Sequence, residues 1–396
     1  MDTITHAFAG ALLGKAFFSS QKLDKNSQPD EYSPGARVAI WATTLGSAFP
    51  DVDVFYDIAS RQPMAALKYH RYITHSFWLM PVWAAGLAWA TGWAMRRWGV
   101  RSPSFFWLWL CYLIGIASHI LLDLATSFGT MCWSPLSRAR PAWDIIFIID
   151  FCFTAIVLLP QVAAWIGRRP ERALRRALRM WVLFVVLSVG VFVFADSAGV
   201  GFAAVTIVIA VGLIGALFFL TAGWRPLAQA KRSSWSRAGV VAGLAYLAAC
   251  TVLHAAALRR VREFAAERHI SAEALGALPQ APSFWMWDGL IRTSGGVYEI
   301  REDLRKPPAR DFDFFADSAP EKLLSETCAL PQTQTYLWFA RFPFFSFAVE
   351  NGTPVLDVAD LRFFSRRGGR MTGFTYRVTF DAEGNVTHAG MLRDRR

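Results

Sequence analysis

Apolar residues in this chain come in long runs cut by short charged segments, a pattern that predicts membrane-crossing helices. A spanning helix needs about 20 mostly apolar residues, because each residue rises about 1.5 Å and the hydrocarbon layer is about 30 Å thick. Six runs approach that length: Phe77–Met95, Ser104–Leu122, Ile145–Gly167, Met180–Ala195, Ser197–Trp224 and Ala238–Leu258. Two shorter runs precede them. Thr3–Phe18 carries Gly10 and Gly14 four apart, a small-residue face suited to close helix packing. Arg37–Phe49 is shorter still. Each fits a short span or a re-entrant helix, and counting both as spans gives eight. The expected fold class is an α-helical polytopic membrane bundle.

After Leu258 the pattern changes. An Arg/Glu-rich helix is expected through about residue 275, followed by alternating, aromatic-rich runs at Thr335–Phe342, Arg362–Phe364 and Phe374–Phe380. Asn351-Gly352 and Glu383-Gly384-Asn385 supply turn signals between them. These features predict a soluble α+β domain over residues 259–396. Upstream, the expected division is a membrane-embedded domain over 1–166 and additional transmembrane helices in 167–258.

Composition supports the membrane assignment. The chain is 54% hydrophobic and 18% charged, against about 45–50% apolar and about 25% charged in soluble proteins. The net charge of +11 falls almost wholly in the first 258 residues, since 259–396 hold 19 Lys/Arg against 18 Asp/Glu. A nucleic-acid binder gathers such charge on a soluble basic face. Here it sits in short loops between apolar runs, so no nucleic-acid partner is expected. With eight spans, the loops on one side hold fifteen Lys/Arg and those on the other hold five. Positive loops stay inside, which puts both termini on the outer face, the periplasmic side of a bacterial inner membrane. The five cysteines form no CxxC pair, so neither a zinc ribbon nor a disulfide framework is indicated.

Four of the seven histidines lie in the first 119 residues, beside carboxylates. The arginine-based topology places them all near one face. His6 begins the first run, Asp51 and Asp53 follow the second, and His70 and His75 precede the third. His119 and Asp123 end the fourth, and Asp144 and Asp150 begin the fifth. His119 and Asp123 are i, i+4, so imidazole and carboxylate share a helical face and can reach one ion. Asp51-x-Asp53 in an extended segment points both carboxylates the same way. Imidazole with carboxylate oxygen fits Zn²⁺, Mn²⁺ or Fe²⁺, and without a thiolate set structural zinc is disfavoured. Ionisable groups in a spanning segment are costly and are read as functional. The expected metal ligands are therefore His6, Asp51, His70, His75, His119 and Asp123. Asp53 and Asp150 are the candidates to take a proton, and Arg71 is the candidate to steady phosphoryl charge. His254 stands alone and is read as structural; Asp144 is read as compensating a helix N-terminus.

The chain resembles a known bacterial family at four motifs in order: Met1-Asp-Thr-Ile-Thr-His6, Gly46-Ser-Ala-Phe-Pro-Asp51-Val-Asp53, His70-Arg-Tyr-Ile-Thr-His75-Ser76 and Gly115-Ile-Ala-Ser-His119-Ile-Leu-Leu-Asp123. It resembles the YdjM-like membrane-bound metal-dependent hydrolases, a group with LexA-linked members, over roughly residues 1–160. The resemblance implies a multi-spanning inner-membrane protein with hydrolase activity. The order of motifs is also similar to zinc-dependent phospholipase C and related single-strand nucleases. Two departures stand out: there is no N-terminal Trp ligand and no HxxxE motif after Asp123, so Asp144 or Asp150 would have to substitute. The resemblance does not cover residues after 259. The resulting expectation is a hydrolase of phosphoester or lipid-linked substrates at the periplasmic face, holding one or two divalent ions, zinc foremost. The alternatives are a metal-ion or solute transporter, and a membrane-anchored sensor or structural protein with a structural metal. Transporter sites lie near the midplane between structural repeats, whereas these groups cluster at run ends and no repeat is visible.

Overall fold

The computed structural model describes residues 1–18, 32–60, 62, 64–197, 204–224, 232–280, 285–364 and 373–392. Of the basic residues used for orientation, Lys22, Lys25, Arg61, Arg225 and Lys231 lie outside the described residues.

Three helices position the His/Asp motifs: α1 (Thr3–Phe18), α2 (Pro34–Ala48) and α6 (Phe105–Leu124). α2 starts where its sequence says it should. Pro34 occupies the first turn and the Ser33 hydroxyl accepts the Ala36 N–H at 3.1 Å. α2 then runs between α1 and α6 at glycine contacts. A Cβ at Gly10 of α1 or at Gly115 of α6 would lie 2.5 Å from the Thr43 carbonyl oxygen, and one at Gly14 would strike the Thr43 hydroxyl. This close approach brings the start of α1, the end of α2 and the second half of α6 to one place. Gly115→Val is expected to cost at least about 1–3 kcal/mol by overpacking, read as a lower unfolding temperature in detergent. An unchanged melting temperature would show that the three helices are not in this contact.

A 3₁₀ turn over Phe49–Val52 follows α2, then α3 (Asp53–Ala59), α4 (Ala65–Tyr69), a second 3₁₀ turn over Ile73–His75, and α5 (Met80–Arg97) packed on α6. Among the described residues, the further α-helices of this half are α7 (Phe151–Ile166), α8 (Ala173–Ser197), α9 (Ala204–Gly223) and α10 (Arg232–Glu267).

The span count is smaller than the runs suggest. Among the described residues, α6 and Ser233–Glu267 of α10 are long and apolar enough to cross a membrane. α7 with Pro170–Gly190 makes a third if that pair, bent by 105°, is one broken span. Six full spans are not supported, for identifiable reasons. The Ile145–Gly167 run loses its first part because Asp150 caps α7, leaving 16 residues. The Phe77–Met95 run begins its helix only at Met80 and ends on Arg96 and Arg97. α1 and α2, at 16 and 15 residues, fall short of a bilayer on their own.

α10 passes unbroken through Leu258 and buries Val261 and Phe264 against Trp287, Ile291 and Ile300. The C-terminal part consists of two four-stranded antiparallel sheets, each in sequential strand order. The first holds β1 (Ala274–Pro279), β2 (Met286–Thr293), β3 (Gly296–Asp303) and β4 (Asp313–Ala316). The second holds β5 (Pro343–Glu350), β6 (Thr353–Phe364), β7 (Gly373–Phe380) and β8 (Val386–Met391). Two short helices, α11 (Glu321–Ala329) and α12 (Pro331–Phe339), join the sheets. The expected strand at Thr335–Phe342 is thus mostly helix: Tyr336 and Phe339 are three apart and both buried, a helical face. The other two runs lie in β6 and β7 as expected. Asn351 at φ 51° and Gly352 at φ 80° make the two-residue turn between β5 and β6.

The second sheet docks on the irregular stretch between α6 and α7. Phe128 packs on Phe339 and Phe363 at ring distances of 5.1 and 5.8 Å. Arg341 Nη1 donates to both Asp144 oxygens at 2.9 Å, and Arg362 Nη1 donates to the Ser127 carbonyl at 2.9 Å. The β-domain therefore sits at the same end of the helical half as the His/Asp motifs.

Candidate metal centre

The helix crossing of α1, α2 and α6 delivers His119, one turn before Asp123, against the end of α2. His119 Nδ1 lies 2.7 Å from the Ser47 carbonyl oxygen. A carbonyl can only accept, so Nδ1 carries the hydrogen and a neutral ring leaves Nε2 as a bare lone pair. His75 is arranged alike. Its Nδ1 lies 3.0 Å from Thr74 Oγ1 and 3.3 Å from Asp53 Oδ2, which leaves Nε2 facing inward.

The two Nε2 atoms are 3.0 Å apart. Asp123 Oδ2 lies 3.2 Å from His75 Nε2 and 3.4 Å from His119 Nε2, and Asp51 Oδ1 lies 3.4 Å from His119 Nε2. One ligand atom from each of Asp51, His75, His119 and Asp123 falls within 4.8 Å of every other. His75, His119 and Asp123 are fully buried, and Asp123 Oδ2 has no hydrogen-bond partner among the described residues. With both rings neutral, four lone-pair donors turned on one another in a largely buried site are electrostatically unfavourable without a cation between them. Metal–ligand bonds of about 2.0–2.2 Å put neighbouring donors roughly 3–3.5 Å apart. The donor set fits one divalent transition metal.

Asp123 divides its two oxygens between different tasks. Oδ1 faces cationic and N–H groups: Arg71 Nη2 at 2.9 Å, the Met1 nitrogen at 2.5 Å and His6 Nε2 at 3.2 Å. Oδ2 is left to the cluster. His6 stacks on His119 with ring centres 3.6 Å apart, beside the four-residue group rather than in it.

Asp53 organises the next layer. It accepts from His70 Nδ1 at 2.9 Å, from the Arg71 backbone N–H at 2.8 Å and from the Thr74 hydroxyl at 3.2 Å. Burial alone would push its carboxyl up, but hydrogen bonds from His70 and His75 outweigh that and hold it below the ordinary carboxylate range. Arg71 adopts a left-handed backbone at φ 62°, a conformation that costs of order 1–3 kcal/mol in a non-glycine residue. The Asp53 contact and the Phe128 ring, 4.9 Å beneath the guanidinium, hold it there.

The structure thus brings together Asp51, His75, His119 and Asp123 from the sequence-derived set, with His6, Asp53 and Arg71 in direct contact with them. His70 stands at the rim, bound to Asp53. Asp150 lies apart: it caps α7 by accepting the Phe153 N–H at 2.9 Å and accepts the Tyr246 hydroxyl at 2.8 Å. Asp144 pairs with Arg341, and His254 packs on Trp287 with ring centres 5.6 Å apart. Sequence reasoning misses Ser47, Thr74 and Phe128. The first two lie inside the four motifs; Phe128 sits in a stretch without periodicity and offers no signal.

A model of the YdjM inner membrane protein family matches residues 1–199, which contain the whole cluster. The chain belongs to the YdjM inner membrane protein family. The family description and the apolar helices agree on an inner-membrane protein. A relative in Bacillus subtilis (strain 168), described as uncharacterized protein YfhP, is 27% identical over 165 residues. That alignment covers 42% of this chain and 46% of the relative, so the chain spans under half of that protein's length. No solved structure matches the chain.

Proposed function

We propose that the protein is a membrane-bound, metal-dependent hydrolase of phosphoester or lipid-linked phosphate substrates, working at the periplasmic face. The observation that carries the reading is the convergence of two imidazole Nε2 atoms and two carboxylates beside a buried arginine. Asp51, His75, His119 and Asp123 would hold the ion, with zinc the best match to the donors and manganese or iron compatible. Such an ion supplies Lewis acidity and makes water a nucleophile at neutral pH.

The chain's own residues do the rest. The Ser47 carbonyl and Asp53 fix the ring orientations of His119 and His75. Both Asp53 oxygens are committed, so it acts through His70: with Nδ1 tied to Asp53 and the side chain 22% exposed, His70 can take a proton at Nε2. Arg71 balances Asp123, and its buried Nε–H has no partner among the described residues, which leaves one donor for a phosphoryl oxygen that enters the site. α3 starts at Asp53 and exposes Val54, Phe55, Tyr56 and Ile58, an apolar ridge beside the centre that suits a substrate embedded in a bilayer.

The test is to assay detergent-purified protein against phosphodiester and phospholipid substrates, with and without a chelator. Chelator-sensitive release of a headgroup or phosphate supports the reading. Metal-loaded protein that cleaves none of them favours a structural ion, a second reading supported by the full burial of His75, His119 and Asp123.

Orientation has its own check. Because the β-domain contacts Ser127, Phe128 and Asp144, its side of the membrane is also that of the centre. A C-terminal alkaline-phosphatase fusion is expected to be active and a GFP fusion dark. The reverse pattern would put the centre in the cytoplasm.

A further inference from the structure

We propose that a cleft between α1, α2 and α7 binds one anionic phospholipid, at a site separate from the metal centre and independent of the hydrolase reading. The cleft has a volume of about 620 Å³ and apolar walls that include Phe8, Ala11, Ile40, Leu158 and Val162. It continues into a smaller space of about 180 Å³, sharing Lys15, Arg37, Gln161 and Trp165 with it and adding Arg168. One end is therefore apolar and the other carries three cations. Lys15 follows His6 by nine residues on α1, which sets it about 13 Å further along the axis. The basic mouth thus opens away from the metal centre.

The charge balance at the mouth selects the occupant. The half-buried Lys15 ammonium donates to Gln161 Oε1 at 2.6 Å, a neutral partner. Among the described residues, neither Lys15 nor Arg37 pairs with a carboxylate. A partly desolvated ammonium held only by an amide is under-compensated, and a phosphate supplies the missing charge. An acyl chain in the apolar part and a phosphate at the cations fill both halves. A zwitterionic headgroup brings its own cation to the same place and loses that advantage.

The experiment counts lipids retained by delipidated protein, using native mass spectrometry during titration with phosphatidylglycerol or phosphatidylcholine. Wild type is expected to retain one phosphatidylglycerol in preference to phosphatidylcholine. Lys15→Gln with Arg37→Gln should erase that preference, weakening phosphatidylglycerol roughly fivefold for each cation removed. Ala11→Trp, which fills the cleft, should abolish retention of both lipids while leaving metal content at the wild-type level. Equal retention of the two lipids by wild type, or an unchanged preference in the double variant, would overturn the proposal. So would wild-type lipid retention by Ala11→Trp. If Ala11→Trp fails to fold, the double variant decides alone.

Discussion

Replacing His119 with alanine is expected to leave a folded protein that binds no metal at the centre and lacks the proposed hydrolase activity. The substitution deletes an Nε2 donor that lies 3.0 Å from His75 Nε2 and 3.4 Å from both Asp51 Oδ1 and Asp123 Oδ2. No other side chain in the four-residue group can replace it, because each already contributes its one inward atom. Asp123→Ala should match it, since that change removes Oδ2 and also leaves the Arg71 guanidinium without its carboxylate. His254→Ala is the control. His254 is also a histidine of an apolar helix, but it packs on Trp287 of the β-domain and is not part of the cluster. That variant should bind metal as wild type does and retain most of the proposed activity. Metal content measured on size-exclusion-purified variants separates the outcomes. Equal occupancy in His119→Ala and His254→Ala would mean that the converging nitrogens do not bind an ion.

Asp53→Asn is expected to weaken metal binding about 10–100-fold without emptying the ligand set. Asp53 accepts from His70 Nδ1, the Arg71 N–H and the Thr74 hydroxyl, and it faces His75 Nδ1 at 3.3 Å. An amide would turn an NH₂ toward one of these donors. If that donor is His75, the ring hydrogen moves to Nε2 and the nitrogen can no longer bind a cation. The nearby Arg71 backbone, held at φ 62° against Asp53, would also lose an anchor. Asp150→Asn makes the comparison sharp, because Asp150 caps α7 and touches Tyr246 rather than the cluster. It should leave metal affinity at the wild-type value. Competition with a fluorescent chelator measures both. An unaltered affinity in Asp53→Asn would show that Asp53 does not set the orientation of His75.

Much of the centre is legible in the amino-acid sequence, because ionisable side chains are rare in apolar runs and their positions are informative. His6, Asp51, His75, His119 and Asp123 all stand out at run ends, and the last pair also by its i, i+4 spacing. The layer around them does not. Phe128, which lies under Arg71, belongs to an irregular stretch whose backbone is fixed by contacts with α12 and β6, far away in sequence. Asp150 reads as a proton acceptor from its place beside a run, although an Asp just before an apolar run is also the ordinary signature of a helix cap. The same cap explains part of the excess in the span count, since apolar residues before Asp150 belong to the loop. Thr335–Phe342 misleads because a short aromatic run satisfies strand and helix patterns equally, and only burial of Tyr336 with Phe339 decides between them.

The most direct measurement is the metal content of wild-type protein purified without metal-affinity resin. Plasma mass spectrometry should find at least one divalent transition metal per chain. X-ray absorption should then show a shell of nitrogen and oxygen neighbours at about 2.0–2.2 Å without sulfur. Protein that is monodisperse, folded and free of transition metal, and that takes none up on dialysis against zinc or manganese, would contradict the account.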